Sequence, residues 1–247
     1  MPEFIGQDLS GARFEDVDLA GARFANVALA GVVIRGAWVD MTIDGAIDGL
    51  VVNGVDVVPM IEAELDRRHP DRVLMRPETA DGYRSAFAVL SRLWEGTVDR
   101  ARRLPPPLLH ERVDGEWSFI ETLRHLVFVT DAWGLRAYLG ERSPWHPLGL
   151  PHDEMPDEPG VPRDRDARPS LDEVLAARAD RMARMRQIFA ALTDEDLAAT
   201  TDPVPPPGYP PPESFPVRRC LRAVISEEWE HRLYAERDLD VLTARAS

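Results

Sequence analysis

The sequence predicts an α+β protein: a short right-angled β solenoid over residues 1–58, packed beside an all-α four-helix bundle over residues 79–247. A linker with a short helix fills residues 59–78. Three observations carry this reading. Residues 4–39 repeat with a period of five. Four later segments, 79–103, 118–139, 170–192 and about 214–242, have helical apolar spacing or helix caps. Long proline-rich stretches separate the last three of these, as long connections between bundle helices would.

The period of five is written twice over in GARFEDVDLA and GARFANVALA, residues 11–20 and 21–30. Phe4, Leu9, Phe14, Leu19, Phe24, Leu29, Ile34 and Val39 form one apolar column. Two positions before each repeat's column residue stand Ala12, Val17, Ala22, Val27, Val32 and Ala37, all small or β-branched. Glycines recur in phase at 6, 11, 21, 31 and 36. Neither the period of a helix nor that of a strand gives this register, but four-sided coils that stack like side chains on an axis do. The pattern resembles the pentapeptide-repeat family. Eight units make only about two coils, too few to bury a core alone, so the segment is expected to dock on the rest of the chain. Its acids, from Glu3, Asp8 and Glu15 through Asp44 to Asp56, outnumber its three arginines. Two coils nevertheless span too little length to mimic duplex DNA, so a structural appendage or a homodimer surface is the expectation.

Pro59 ends the β-rich part, and residues 60–68 read as a short helix stopped at His69-Pro70. In the segment 79–103, Tyr83, Phe87, Leu90, Trp94 and Val98 share one stripe, and the prolines at 105–107 stop the helix. Residues 118–139 open on Ser118 with Glu121 three positions on, a capping box, and end at Gly140. Residues 170–192 open in the same manner on Ser170 and Glu173. The connection at 143–169 is long enough to cover a site.

Composition narrows the partners. The formal net charge is −14 and all 29 basic residues are Arg, with no basic cluster to engage phosphates, so nucleic acid is not an expected partner. A single cysteine, Cys220, excludes an intrachain disulfide framework. No segment offers about 18 uncharged apolar residues, and the N-terminus lacks a basic region followed by an apolar run. A cytoplasmic protein that handles a small-molecule substrate is the expectation.

Six histidines are present, and His69, His110, His146 and His152 fall in loops, where turn roles suffice. His125 lies mid-helix among Leu123, Leu126, Val127 and Phe128. On the last helix Val217, Val224 and His231 are spaced by seven, so extending the apolar stripe turns His231 inward with one glutamate, Glu227 at i−4 or Glu228 at i−3. A buried imidazole and carboxylate need compensation. A divalent cation held by two His and one carboxylate supplies it, with zinc or non-haem iron suiting that donor set. A plain Glu–His hydrogen bond explains the same pattern. Glu121 is a candidate to orient His125, with its capping role as the alternative. Tyr83, Trp117 and Trp229 are candidates to line a pocket, with core packing as the alternative.

The stretches GEWSFIETLRHLVFVTDAW and SEEWEHRLYAERDL resemble the DinB-like family of metal-binding four-helix bundles. The Trp117-Ser118 pair before the first ligand helix is similar as well. The resemblance implies a His on the second helix joined to a pair spaced by four on a later one. That pair reads Glu-x3-His in members resembling mycothiol-dependent maleylpyruvate isomerase. The implied ligands are His125, Glu227 and His231, which leaves Glu228 and Glu230 to the solvated face. The implied cofactors are a divalent metal, zinc with iron or nickel as alternatives, and mycothiol as a thiol cosubstrate. The implied activity is S-transfer or isomerisation of an electrophilic small molecule. A metal-dependent hydrolase or stress protein on the same scaffold, and a non-catalytic interaction protein, are the competing expectations.

Overall fold

A computed structural model of the chain describes residues 3–24, 27–36, 38–43, 45, 47–153 and 155–246. Two compact units divide it, Met1–Ile47 and Asp48–Ser247.

In the first unit the backbone itself has the five-residue period. Gly6, Gly11, Asp16, Gly21, Gly31 and Gly36 all have positive φ, between 52° and 76°. This is the left-handed conformation that glycine adopts without steric cost and that aspartate tolerates. Turns close every ten residues, with Ala12, Ala22 and Val32 donating to the carbonyls of Leu9, Leu19 and Leu29. The Asp8 and Asp18 carboxylates accept from the amides of Ser10 and Ala20, so two of the acids are turn-formers. The apolar column is not sealed. Its eight residues are 44–64% exposed, because so few units cannot cover one another. Ala37 and Asp44 lie outside the described residues.

The second unit begins at Asp48, ahead of the boundary predicted after residue 58. The strands β1 (Val51–Val52) and β2 (Val55–Asp56) pair antiparallel across Asn53-Gly54, both at positive φ, the signature of a tight hairpin turn. The amide of Val57 then bonds the carbonyl of Leu50, and Ile61 bonds Val57, so the hairpin runs directly into helix α1 (Val58–Arg68).

The main helices are α2 (Ala80–Ala101), α3 (Phe119–Val129), α4 (Leu171–Ala191) and α6 (Val217–Ala246), with a short α5 (Asp194–Ala198) before the last. Thr79, Ser118, Ser170 and Thr193 cap the N-termini of α2 to α5, and the last three caps are full capping boxes. Each such cap stabilises its helix by about 1 kcal/mol. Helix α2 packs on α4 and α6, and α3 packs on the same two, which closes a four-helix arrangement. Every residue of α3 is buried, including Glu121, Arg124 and His125. The chain continues from α3 without a break into a π-helical stretch, Thr130–Tyr138. There Gly134 admits Met185 so closely that a Cβ would stand 2.6 Å from its sulfur.

Two apolar clusters share the bundle. One holds Tyr83, Phe87, Leu90, Phe189, Val224 and Trp229; the other holds Trp94, Phe119, Leu123, Leu126, Leu239 and Leu242. Along helix α6 the last fully buried residue of the first cluster is Trp229 and the first of the second is Ala235, with Leu233 packed part-buried against the first. His231 falls in that interval. Among the described residues no helix is long and apolar enough to cross a membrane.

Candidate metal centre

Helix α3 contributes His125 and helix α6 contributes Glu227 and His231. The i, i+4 spacing sets the two α6 side chains one above the other. His231 Nε2 lies 3.1 Å from Glu227 Oε2, and His125 Nε2 lies 3.5 Å from the same oxygen. One donor atom from each of the three side chains lies within 4.8 Å of the others. His125 is 5% exposed, whereas the Glu227 side chain retains 40% of its exposure, so the site opens towards solvent at the carboxylate.

The protons decide what this arrangement needs. His125 Nδ1 is 3.0 Å from the carbonyl oxygen of Leu150, which can only accept, so Nδ1 carries the hydrogen. Burial holds the His125 imidazole below its ordinary pKa and hence neutral at neutral pH. Its Nε2 is then a bare lone pair facing Glu227. Burial opposes ionisation of Glu227, but the two imidazoles that face it offset this and hold the carboxyl below the usual range. An unprotonated nitrogen facing a carboxylate is two acceptors with nothing to share, and a cation resolves it. Tetrahedral zinc sites place neighbouring donor atoms about 3.4 Å apart, close to both carboxylate–imidazole spacings. The residues present fit a divalent ion with an open position.

Trp117 touches both imidazoles, with ring centroids 4.6 Å from His125 and 5.9 Å from His231, the latter nearly parallel. Of the three aromatic candidates it alone sits against the histidines. Tyr83 is fully buried, stacks on Phe189 and donates its hydroxyl to the carbonyl of Arg218. Trp229 is buried in the same cluster, edge-on to His69 and under the Arg232 guanidinium. Both belong to the core, because the bundle stripe carries them past the site. Glu121 does not orient His125. Its carboxylate accepts from Arg112 at 2.6 and 3.0 Å and from the Ser118 amide at 2.9 Å.

The orienting partner is instead the backbone of the long connection. The Leu150 amide donates to the Arg124 carbonyl at 3.2 Å while the Leu150 carbonyl receives His125. The fully buried Arg124 guanidinium donates to the carbonyls of Leu148 at 3.0 Å, Ala167 at 3.3 Å and Asp164. Further along, the Asp131 carboxylate receives the His146 amide at 2.8 Å and Arg181 at 2.8 Å, and Arg181 also reaches the Pro144 carbonyl. Carbonyl partners leave no trace in a sequence.

Glu228 departs from the solvated role expected of it. It is 1% exposed and meets Arg178 bidentately at 3.1 and 2.9 Å, and Arg178 lies 4.8 Å over the ring of Trp94. The Trp94 indole donates to the Glu228 carbonyl at 3.2 Å. Glu230 is exposed, as expected. The two neighbouring glutamates therefore divide the work: Glu228 fixes α6 against α2 and α4, and Glu227 is left for the histidines.

Comparison with known protein families gives two matches. A model described as the DinB superfamily covers residues 90–235, and one described as pentapeptide repeats covers residues 3–38 in eight copies. Neither the curated proteins nor the solved structures give a match.

Proposed function

We propose that this chain, which belongs to the DinB superfamily, a metal-binding family, is an enzyme that uses a low-molecular-weight thiol of the mycothiol type. Its reaction is S-transfer or isomerisation of an electrophilic small molecule. The observation that carries the reading is His125 Nε2 facing the Glu227 carboxylate at 3.5 Å, with its Nδ1 turned to the Leu150 carbonyl and His231 at 3.1 Å on the same oxygen. His125, Glu227 and His231 would hold the ion, zinc by donor type with iron or nickel as alternatives. A divalent ion in that position lowers the pKa of a thiol and so supplies a thiolate at neutral pH.

The chain's own residues set the conditions for this chemistry. The Leu150 carbonyl keeps the His125 hydrogen on Nδ1 and its lone pair on Nε2. Trp117 packs against both imidazoles, nearly parallel to His231 and tilted to His125, and helps to fix their orientation. Access remains on the side of Glu227. For the N-terminal unit, the left-handed positions spaced by five support reading them as the corners of a right-angled coil.

Elemental analysis of the purified chain tests the metal, with His125→Ala and Glu227→Ala alongside. One equivalent of a divalent ion in the parent and loss in both variants is the expected result. Thermal shift of the loaded protein with mycothiol and with simple thiols tests the chemistry. A metal-loaded protein that no thiol shifts would end the thiol reading.

A further inference from the structure

A second proline-rich connection, PVPPPGYPPPE at residues 203–213, delivers an uncommitted phenol to the neighbourhood of the metal centre. The Tyr209 ring packs on Phe128 at 5.9 Å and meets Trp133 and His152 edge-on at 6.0 and 5.5 Å. Phe128 in turn contacts His125, three residues earlier on α3, at 6.1 Å. The ring is thus held by α3, by its π-helical continuation and by the long connection between α3 and α4. The connection that carries it is itself fixed. Arg136 donates to the carbonyls of Pro205 at 2.8 Å and Val204 at 3.4 Å, and a Cβ on Gly208 would collide with that guanidinium at 2.8 Å. No side-chain or backbone hydrogen bond engages the half-buried Tyr209 hydroxyl among the described residues. Burial raises the phenol above its ordinary pKa and the Glu227 carboxylate pushes the same way, so the hydroxyl stays protonated within the field of the site.

We propose that Tyr209 is the hydrogen-bond donor to an anionic ligand atom, a thiolate sulfur or a carboxylate oxygen, bound at the open position of the His125–Glu227–His231 centre. The inference rests on the metal reading above and extends it. A divalent ion with a single carboxylate ligand keeps a net positive charge and favours an anion as its further ligand. The neighbouring Phe128 and Trp145, stacked at 5.8 Å, give the wall an apolar face. A phenolic O–H in a fixed ring is the polar group that such a pocket uses to orient what it binds.

The test uses the full chain loaded with cobalt(II) in place of the native ion, with azide as the probe and visible absorption as the readout. Tyr209→Phe is expected to keep one cobalt per chain, the parent cobalt spectrum and the parent melting temperature. Its azide dissociation constant should rise about tenfold, the worth of one hydrogen bond to a charged acceptor. Azide affinity within a factor of two of the parent overturns the proposal. A fall in melting temperature with loss of cobalt also overturns it, because the phenol would then serve the loop. The thiol 2-mercaptoethanol is the second probe, read by its sulfur-to-cobalt charge-transfer band. If azide binding depends on Tyr209 but no thiol band forms, the thiol reading fails and the role of Tyr209 stands. A parent chain that takes up no cobalt overturns both.

Discussion

Replacing Glu228 and Glu227 one at a time by alanine should separate stability from metal binding between adjacent residues. The Glu228 side chain is 1% exposed and its partner Arg178 is 7% exposed, with two hydrogen bonds at 3.1 and 2.9 Å. Glu228→Ala leaves that guanidinium buried against Trp94 with no counter-charge. Removing one member of such a pair costs about 3–5 kcal/mol. For a unit of this size each kcal/mol lowers the midpoint by about 2–4 °C, so the melting temperature should fall by roughly 6–20 °C. Glu227→Ala removes a carboxylate that is 40% exposed and should cost the metal-free protein under about 1 kcal/mol while abolishing metal uptake. Urea melts of the metal-free proteins read the first effect, and elemental analysis of the loaded proteins reads the second. A double variant, Arg178→Met with Glu228→Leu, should recover most of the lost stability, since an apolar pair replaces a buried ionic one at little net cost. The reasoning is refuted if Glu228→Ala melts within about 1 kcal/mol of the parent, or if Glu227→Ala proves the less stable of the two.

Glu121 offers a pH test. Burial alone would raise its pKa, but Arg112 and Ser118 more than compensate and hold it below its ordinary 4.5. A lowered native pKa gives stability that is present above the unfolded value and is lost as pH falls through the folded one. Glu121→Gln should therefore be less stable than the parent at pH 7, by about 1 kcal/mol, with the gap closing below about pH 4.5 in denaturant melts. Arg124→Ala should release the connection at residues 143–169, since three carbonyls lose their donor. Limited proteolysis should then cut within 148–167 at least tenfold faster than in the parent, whose cleavage sites are held closed. Gly134→Ala should cost about 1–3 kcal/mol in thermal or urea melts, because the new methyl group meets the Met185 sulfur at 2.6 Å.

The helices were legible because their signals are local. The capping boxes at Ser118 and Ser170 and the stripe Tyr83–Phe87–Leu90–Trp94 need no knowledge of the partner surface. The Asn53-Gly54 dipeptide carried the hairpin signal equally openly, although the surrounding spacing is irregular. His125 and His231 stood out as histidines at inward positions of apolar helices. Glu227 and Glu228 were harder, because positions i−4 and i−3 from His231 both face inward by spacing. What separates them is Arg178, fifty residues away on α4. Glu121 illustrates the opposite failure, a residue one turn from the histidine whose partner turned out to be Arg112 on the other side. The support of His125 by a carbonyl and the approach of Tyr209 could not be read at all, since both depend on how proline-rich connections fold back. Trp229 and Tyr83 both face inward, but periodicity does not say at which level of the bundle a side chain lies.

Four loop residues, Leu148, Leu150, Asp164 and Ala167, are held to α3 by main-chain groups: their carbonyls accept from Arg124 and His125, and the Leu150 amide donates back to the Arg124 carbonyl. The connection can therefore exchange its exposed side chains, though not the buried Leu150, without disturbing the imidazole that it steadies. Substitutions among those exchangeable side chains can retune what the protein accepts, while Arg124 and His125 carry the cost of keeping the centre intact. Within such a lineage the two helix positions would stay fixed while the exposed positions of the connection drift. The scaffold in that way separates the inheritance of a metal centre from the diversification of what reaches it.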